Sequence, residues 1–463
     1  MAENIGNDTV KELLYQRYIA PTKRKRDQYV GVEIEMPVLN LNKEAVNFSV
    51  IHDLTETFKK HFKFDVAGKD DEGNVYALSD SITKDIFTYD CSYNNLELAF
   101  GKEDNIFEIW GRFKKYYSFI QKELSRHNYT LTGMGINPYR RYNNNVPIPN
   151  GRYRMLYHHL FSYKDYKLPM YFHDYPQFGT YASASQVQLD INYVDIVKTI
   201  RAFTRLEPIK AVLFSNSVLL GENEELLCAR DMLWENGMQG FNPHNIGMYG
   251  CEIETVDDLL EYITTTSIYC TEQEGKYINF RPMGIIEYMT ASEIEGEYFE
   301  DGDYHPIKIK PNINDIQYLR TFKFIDLTYR GTFEYRSACC QPISDAMCVA
   351  VFNLGLSYCV DELDGLLEKD TVIYRHGYSS LELRKLLLMK HLPAFVDRAK
   401  LKVLLNEILD IAAKGLRQRG KGEEVFLDCL YERADKLESP ALNLLKQKNN
   451  SELEELIRYY AAL

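Results

Sequence analysis

The sequence predicts an α+β protein whose C-terminal third is helical. Two observations carry this reading. Through the first 342 residues, short stretches that alternate apolar and polar side chains are interspersed with stretches of 3.6-residue periodicity. From Ile343 onward the pattern is almost wholly helical, with Gly and Pro confined to segment ends. No internal repeat, low-complexity tract or long linker divides the chain. Residues 1–342 are therefore expected to form a sheet-containing body and residues 343–463 a mainly helical region of the same domain.

Taken in order, residues 9–19 and 106–127 read as helices, the second long and aromatic on one side. Residues 28–36, 96–100, 131–136, 186–192 and 331–336 read as short strands. Residues 142–151, with three consecutive asparagines and two prolines, read as a loop. Residues 301–311, with Gly302, Pro306 and Pro311, read the same way. Lys23, Arg24, Lys25 and Arg26 precede the first strand; a solvated approach segment is the ordinary reading, with localisation or phosphate binding as the alternative.

Composition narrows the class. With 45% hydrophobic and 26% charged residues in a chain of 463, wholesale disorder is excluded. No apolar run reaches the ~20 residues of a membrane span. The longest, residues 347–356, is interrupted by Asn353. The first residues show neither a basic nor an apolar targeting region, so a soluble, cytoplasmic protein is expected. A net charge of −13 makes nucleic acid and anionic membranes poor partners. The nine cysteines are scattered, with no Cys-x-x-Cys spacing, so free, mostly buried thiols are expected rather than a zinc site.

Three acidic segments carry the chemistry. In Val30-Gly31-Val32-Glu33-Ile34-Glu35-Met36, strand geometry puts Glu33 and Glu35 on one face and Val32, Ile34 and Met36 on the other. Two carboxylates so close repel unless solvent or a cation compensates them. A strand face open to water has the same pattern. Asp90 lies in a turn-rich stretch, and Glu97 stands alone between Leu96 and Leu98. Glu334 and Arg336 share a strand face between bulky apolar neighbours, an arrangement open to a structural ion pair as well as to chemistry.

At these residues the chain resembles the glutamate–cysteine ligase family, most closely its plant-type branch. Gly31-Val32-Glu33-Ile34-Glu35 is similar to the family's Gly-x-Glu-x-Glu strand. Asp90 and Glu97 match an Asp-then-Glu element seen in the bacterial branch, and Glu334-Tyr335-Arg336 matches a Glu-x-Arg strand. Further blocks follow in family order. They are Gly135 to Pro138, Pro147 to Met155, Gln186 to Asp190, Leu206 to Ile209, Phe214 to Ser217, Arg230 to Trp234, and the tail from Gly415 to Leu445.

The resemblance implies a glutamine-synthetase-like antiparallel sheet curved into a half-open funnel, with helices outside. It implies an ATP-dependent ligase that joins the γ-carboxylate of L-glutamate to the amino group of L-cysteine through a γ-glutamyl phosphate, the first step of glutathione biosynthesis. The alternatives are a γ-glutamyl ligase for another amine, or a non-catalytic binding protein of the same fold. Carried over residue by residue, Glu33, Glu35, Asp90, Glu97 and Glu334 would hold two or three Mg²⁺ ions. Arg336 would stabilise the transferring phosphate, with Glu33 also counted as catalytic. Arg230 and Trp234 would bind glutamate, and Arg152, Tyr153 and Gln188 are expected around the substrates. Gln188 stands where the bacterial branch has histidine and the plant-type branch asparagine, and it is counted with the substrate-binding residues rather than the metal ligands. Two departures stand out: Cys339, followed by Cys340, replaces an aspartate, and Ile34 replaces a histidine. Both bear on which amine is accepted.

Overall fold

Alternation decides the central strand, and the rest of the body assembles around it. The computed structural model describes residues 6–165, 172–249 and 253–463. The strands in chain order are β1 (Val30–Asn40), β2 (Asp65–Lys69), β3 (Val75–Ser79), β4 (Ile86–Tyr89), β5 (Asn95–Glu103), β6 (Tyr129–Leu131) and β7 (Ser185–Asp190). There follow β8 (Ile246–Gly247), β9 (Ser267–Gln273), β10 (Lys276–Gly284), β11 (Ile294–Glu300), β12 (Asp303–Ile309), β13 (Phe322–Lys323), β14 (Ile325–Leu327) and β15 (Thr332–Tyr335).

A nine-stranded sheet runs in the order β14-β15-β7-β1-β5-β4-β3-β2, with β6 paired to the far end of β1. All its pairings are antiparallel. Val30, Val32, Ile34 and Met36 turn one face of β1 into the main core, alongside the helix Cys348–Tyr358, which is buried from Cys348 to Leu356. That helix meets Arg398–Arg419 at close range: a Cβ on Gly355 would lie 2.2 Å from the Ala412 carbonyl oxygen, and one on Gly415 2.0 Å from that of Gly355. Among the described residues no single helix is long and apolar enough to cross a membrane.

A second sheet of four strands, ordered β12-β11-β10-β9, has its own apolar cluster. Val10 and Leu14, from the helix Asn7–Leu14, belong to that cluster. The chain then makes a π-helical turn, Tyr15–Ile19, and enters the main core at Ile19. The expected strands at 28–36, 96–100, 186–192 and 331–336, the long helix (observed as Ile106–Ser125), the 142–151 loop and the helical C-terminal region are present, with shifted ends.

Two expectations fail. Residues 301–311 are not a loop: residues 303–309 form β12, paired along its length with β11. Pro306 is accommodated because β12 is an edge strand, whose outer side needs no ladder donor. Residues 131–136 do not continue as a strand beyond Leu131. There Gly133 donates to the Tyr460 carbonyl and Gly135 to that of Asn216, and a Cβ on Gly133 would lie 2.2 Å from the Gln341 carbonyl oxygen. Close backbone approach replaces sheet pairing.

Candidate active site

The polar face of the main sheet opens onto a cavity of about 480 Å³. Strand register brings the acids together. Glu35 is directly opposite Glu97 across the β1–β5 ladder, Glu33 faces Gln186 across β1–β7, and Glu334 faces Gln188 across β15–β7. Asp90 follows β4 in a turn where Cys91 takes a left-handed conformation, φ 59°. Glu33, Glu35, Asp90, Glu97 and Glu334 all line the cavity. The alternation of β1 therefore does what its sequence predicts.

Like charges opposite one another destabilise a sheet, and the titration of these groups reflects it. Burial, then the nearby Glu334 charge, pushes the Glu33 carboxyl up to about 7, although Arg336 and Arg330 oppose the shift. Burial and Asp90 push Glu35 up to about 8. Asp90 is raised by burial against the pull of Arg152, Arg336 and Arg230. Glu97 lies well above the carboxylate range, from burial and from Glu33, Asp90 and Glu35 together.

The acids differ in their partners. Glu35 accepts hydrogen bonds from the Ala184 amide and the Gln186 Nε2, each at 2.7 Å. Glu334 pairs with Arg336 at 2.7 Å. Gln188 Nε2 donates to both Glu33 and Glu334 at 3.1 Å. The Asp90 and Glu97 carboxylates have no hydrogen bond or ion pair among the described residues. Nor, among those residues, do any three acidic, histidine or cysteine side chains stand as a ready-made metal-ligand set. Glu35 and Glu334 are turned instead onto the neighbouring donors just named.

Helices and loops supply the cations. Arg230 and Trp234 come from the short helix Ala229–Glu235. Arg230 is 8% exposed; its Nη1 donates to the Ala338 carbonyl at 3.2 Å, while its Nε is buried without a hydrogen-bond partner among the described residues. Trp234 stacks on Phe322, with ring centroids 4.2 Å apart, and forms one wall. The Asn150 side chain caps the helix Gly151–Phe161 by accepting from the Tyr153 amide, which presents Arg152 to the cavity. Tyr153 also lines the cavity, but its hydroxyl donates to the Tyr89 carbonyl at 2.9 Å, a scaffold contact.

Some neighbours were not singled out by the sequence. Gln186, rather than Gln188, lines the cavity and bonds Glu35. Arg17, Arg320, Arg330, Asp231 and Asp326 also line it. Asp231 is gripped by Arg384, which simultaneously bonds the fully buried Glu207. Lys210 and Ser337 complete that buried group. Only the motif Gln-x-Gln signalled the first of these; nothing local signalled the rest.

The eight described cysteines are free, seven of them buried. Cys339 is partnered not by its neighbour Cys340 but by Cys228, with sulfur atoms 3.5 Å apart, and lies 3.2 Å from the Ser217 hydroxyl. Burial works against ionisation of Cys339, but Cys228, Arg230 and Ser217 together bring its thiol down to about 6.

No family model matches the chain. It is 24% identical over 325 residues to the chloroplastic glutamate–cysteine ligase of Brassica juncea, covering 68% of this chain and 58% of that protein. The corresponding enzyme of Nicotiana tabacum is 25% identical over 314 residues, 65% of this chain and 54% of that one. That of Arabidopsis thaliana is 24% identical over 334 residues, 68% and 57%. The chain thus spans little more than half the length of these curated relatives. Among solved structures, the glutamate–cysteine ligase of Francisella tularensis in complex with AMP aligns over 95% of this chain and 88% of its own, at 12% identity and a TM-score of 0.49. A bifunctional glutathione synthetase from Pasteurella multocida aligns over 98% and 52%, at 11% identity and a TM-score of 0.44. In sequence, the chain is a distant relative of the plant chloroplastic glutamate–cysteine ligases.

Proposed function

We propose that the cavity is the active site of an ATP-dependent ligase that activates the γ-carboxylate of L-glutamate as an acyl phosphate and transfers the γ-glutamyl group to an amino-acid amine, with L-cysteine as the first candidate. The observation that carries this reading is the convergence of five acids from three separate segments with Arg230 and Arg336 on one cavity. Relationship to glutamate–cysteine ligases supports the substrate class.

The donor set fits Mg²⁺. It consists of carboxylate oxygens, the ligands that hard cation prefers, and two of them have no competing partner among the described residues. Glu33, Glu35, Asp90, Glu97 and Glu334 would hold the ions. When bound, Mg²⁺ supplies neutralisation of phosphate charge in the transfer.

The chain's own groups do the remaining work. Arg336 is held at one corner by Glu334 and keeps further N–H groups for the phosphoryl oxygens. Burial works against its charge, but Glu334, Asp326 and Glu33 outweigh it and keep its pKa raised, so it stays a cation throughout. Arg230 offers its unpartnered Nε to the α-carboxylate of glutamate. Trp234 and Phe322 give the methylene chain an apolar wall and exclude water from the activated carbonyl.

A second reading changes only the acceptor, and Cys339 is the observation in its favour. The Cys339–Cys228 pair abuts the Arg230 segment where the plant-type pattern has an aspartate. ADP release with glutamate fixed and the acceptor varied separates the readings. Strong preference for cysteine supports the first, and turnover with another amine supports the second. No ADP with any acceptor removes the ligase assignment.

A further inference from the structure

The N-terminal arm places a cation in the cavity that no motif anticipates. Arg17 sits in the middle of the π-helical turn Tyr15–Ile19, a distortion that recurs at functional sites. The arm is fastened on both sides of it. Val10 and Leu14 pack into the cluster of the four-stranded sheet, and Ile19 into the main core. Downstream, Arg26 Nη2 donates to the carbonyl oxygens of Pro21, at 2.5 Å, and Arg330, at 2.9 Å. This ties the arm to the turn between β14 and β15. Gly331 makes that contact possible: its φ is +75°, and a Cβ there would lie 1.6 Å from the Arg26 guanidinium. The basic run is thus partly a clasp.

The clasp sets two guanidinium groups around one ring. Arg17 lies 5.0 Å and Arg330 5.1 Å from the centroid of Tyr329. Both arginines line the cavity. Arg17 has no ion pair among the described residues, and its Nε is buried there without a hydrogen-bond partner. Arg330 donates to Gln188 Oε1 at 2.8 Å, and Gln188 in turn bonds Glu33 and Glu334. The basic pair is therefore joined to the acid cluster through a single side chain. Arg17 also lies 5.6 Å from the Tyr18 ring centroid, but tyrosine rings do not neutralise two cations, and planar guanidinium groups match phosphate oxygens in geometry and charge.

We propose that Arg17 and Arg330 form a clamp for the polyphosphate chain of the nucleotide, with Tyr329 as the spacer that orients both. The inference rests on the ligase reading and adds to it a binding residue from outside the acidic strands. Calorimetric titration of the full chain in MgCl₂ with ADP, AMP and L-glutamate tests it, comparing wild type with Arg17→Ala and Arg17→Lys. Loss of one charge-assisted contact is expected to lower the ADP-to-AMP affinity ratio about tenfold in Arg17→Ala. Arg17→Lys should recover part of it, and glutamate affinity should stay unchanged. A merely structural role for Arg17 weakens ADP and AMP alike; that result overturns the clamp, as does an unchanged ratio or a loss confined to glutamate. Arg17→Gln, which keeps most of the side-chain volume, gives the same readings should the alanine variant fold poorly. Wild-type protein that binds no ADP overturns the ligase reading and the clamp together, whereas normal ADP binding with an unaltered ratio in Arg17→Gln overturns the clamp alone.

Discussion

Replacing Glu35 by Gln removes one charge from the most crowded part of the cavity while keeping the side chain's shape. Glu35 is 5% exposed and directly opposite Glu97. Its carboxyl titrates near 8 in the fold, against an ordinary 4.5. Below pH 4.5 it is neutral both folded and unfolded, so it contributes nothing to pH dependence. Between 4.5 and 8 the unfolded chain releases the proton while the fold retains it, so stability falls as pH rises, and the loss is complete above 8. A gap of that size corresponds to about 5 kcal/mol in the metal-free protein. The amide variant escapes this loss. It can still accept from the Ala184 amide, and Gln186, whose Oε1 is buried without a hydrogen-bond partner among the described residues, can turn that oxygen toward the new N–H. At pH 5 Glu35 is itself neutral in the fold, so the substitution there swaps one set of neutral hydrogen bonds for another, at a cost of about 1 kcal/mol or less. Glu35→Gln should therefore be slightly less stable than wild type at pH 5 in EDTA and several kcal/mol more stable at pH 9. Urea unfolding at both pH values measures this. Added MgCl₂ should stabilise wild type at pH 9 more than the variant, by mass action. Parallel pH profiles for the two proteins would refute the argument, because they would show that Glu35 is not held protonated by its surroundings.

Three further outcomes are expected. Glu33→Gln should abolish ADP release with glutamate and any acceptor while leaving the circular dichroism spectrum unchanged; wild-type-like turnover would remove Glu33 from the machinery. Arg384→Met should leave buried Glu207 and Asp231 short of their main cation and lower urea stability by about 3–5 kcal/mol, since Arg384 is 2% exposed and pairs with both; a loss below 1 kcal/mol would mean that Lys210 alone suffices for Glu207. Gly355→Ala should lower the unfolding free energy by about 1–3 kcal/mol, because its Cβ would meet the Ala412 carbonyl at 2.2 Å; an unchanged midpoint would show that the two helices can separate freely.

The parts of the site that were legible in the sequence are those fixed by neighbours in the chain. Alternation along residues 30–36 assigns Glu33 and Glu35 to one face without reference to anything distant, and the structure places both on the cavity. The turn around Asp90 and the short Glu334–Arg336 strand are local in the same sense. What escaped depends on pairing between remote segments. Pro306 marks a break only until its strand is known to lie at an edge. Gln186 and Gln188 point to the same side of β7, and only the register with β1 and β15 decides that Gln186 serves Glu35 while Gln188 ties Glu33 to Glu334. Arg384 is 153 residues from Asp231, and no periodicity relates them.

Charge shows the same division between what is summed and what is placed. The chain carries −13 overall, yet the cavity is lined by six arginines, 17, 152, 230, 320, 330 and 336, against seven acids, 33, 35, 90, 97, 231, 326 and 334. Its formal balance is close to neutral. The two signs have different origins: most of the acids rise from the sheet, and most of the arginines come from the arm, helices and loops around it. A uniformly acidic cavity would repel a nucleotide, and a uniformly basic one would not retain divalent cations. Segregating the signs on different structural elements lets one cavity of about 480 Å³ carry carboxylates and guanidinium groups side by side, which is what the proposed ligase reading, with its cations, phosphates and α-carboxylate, requires.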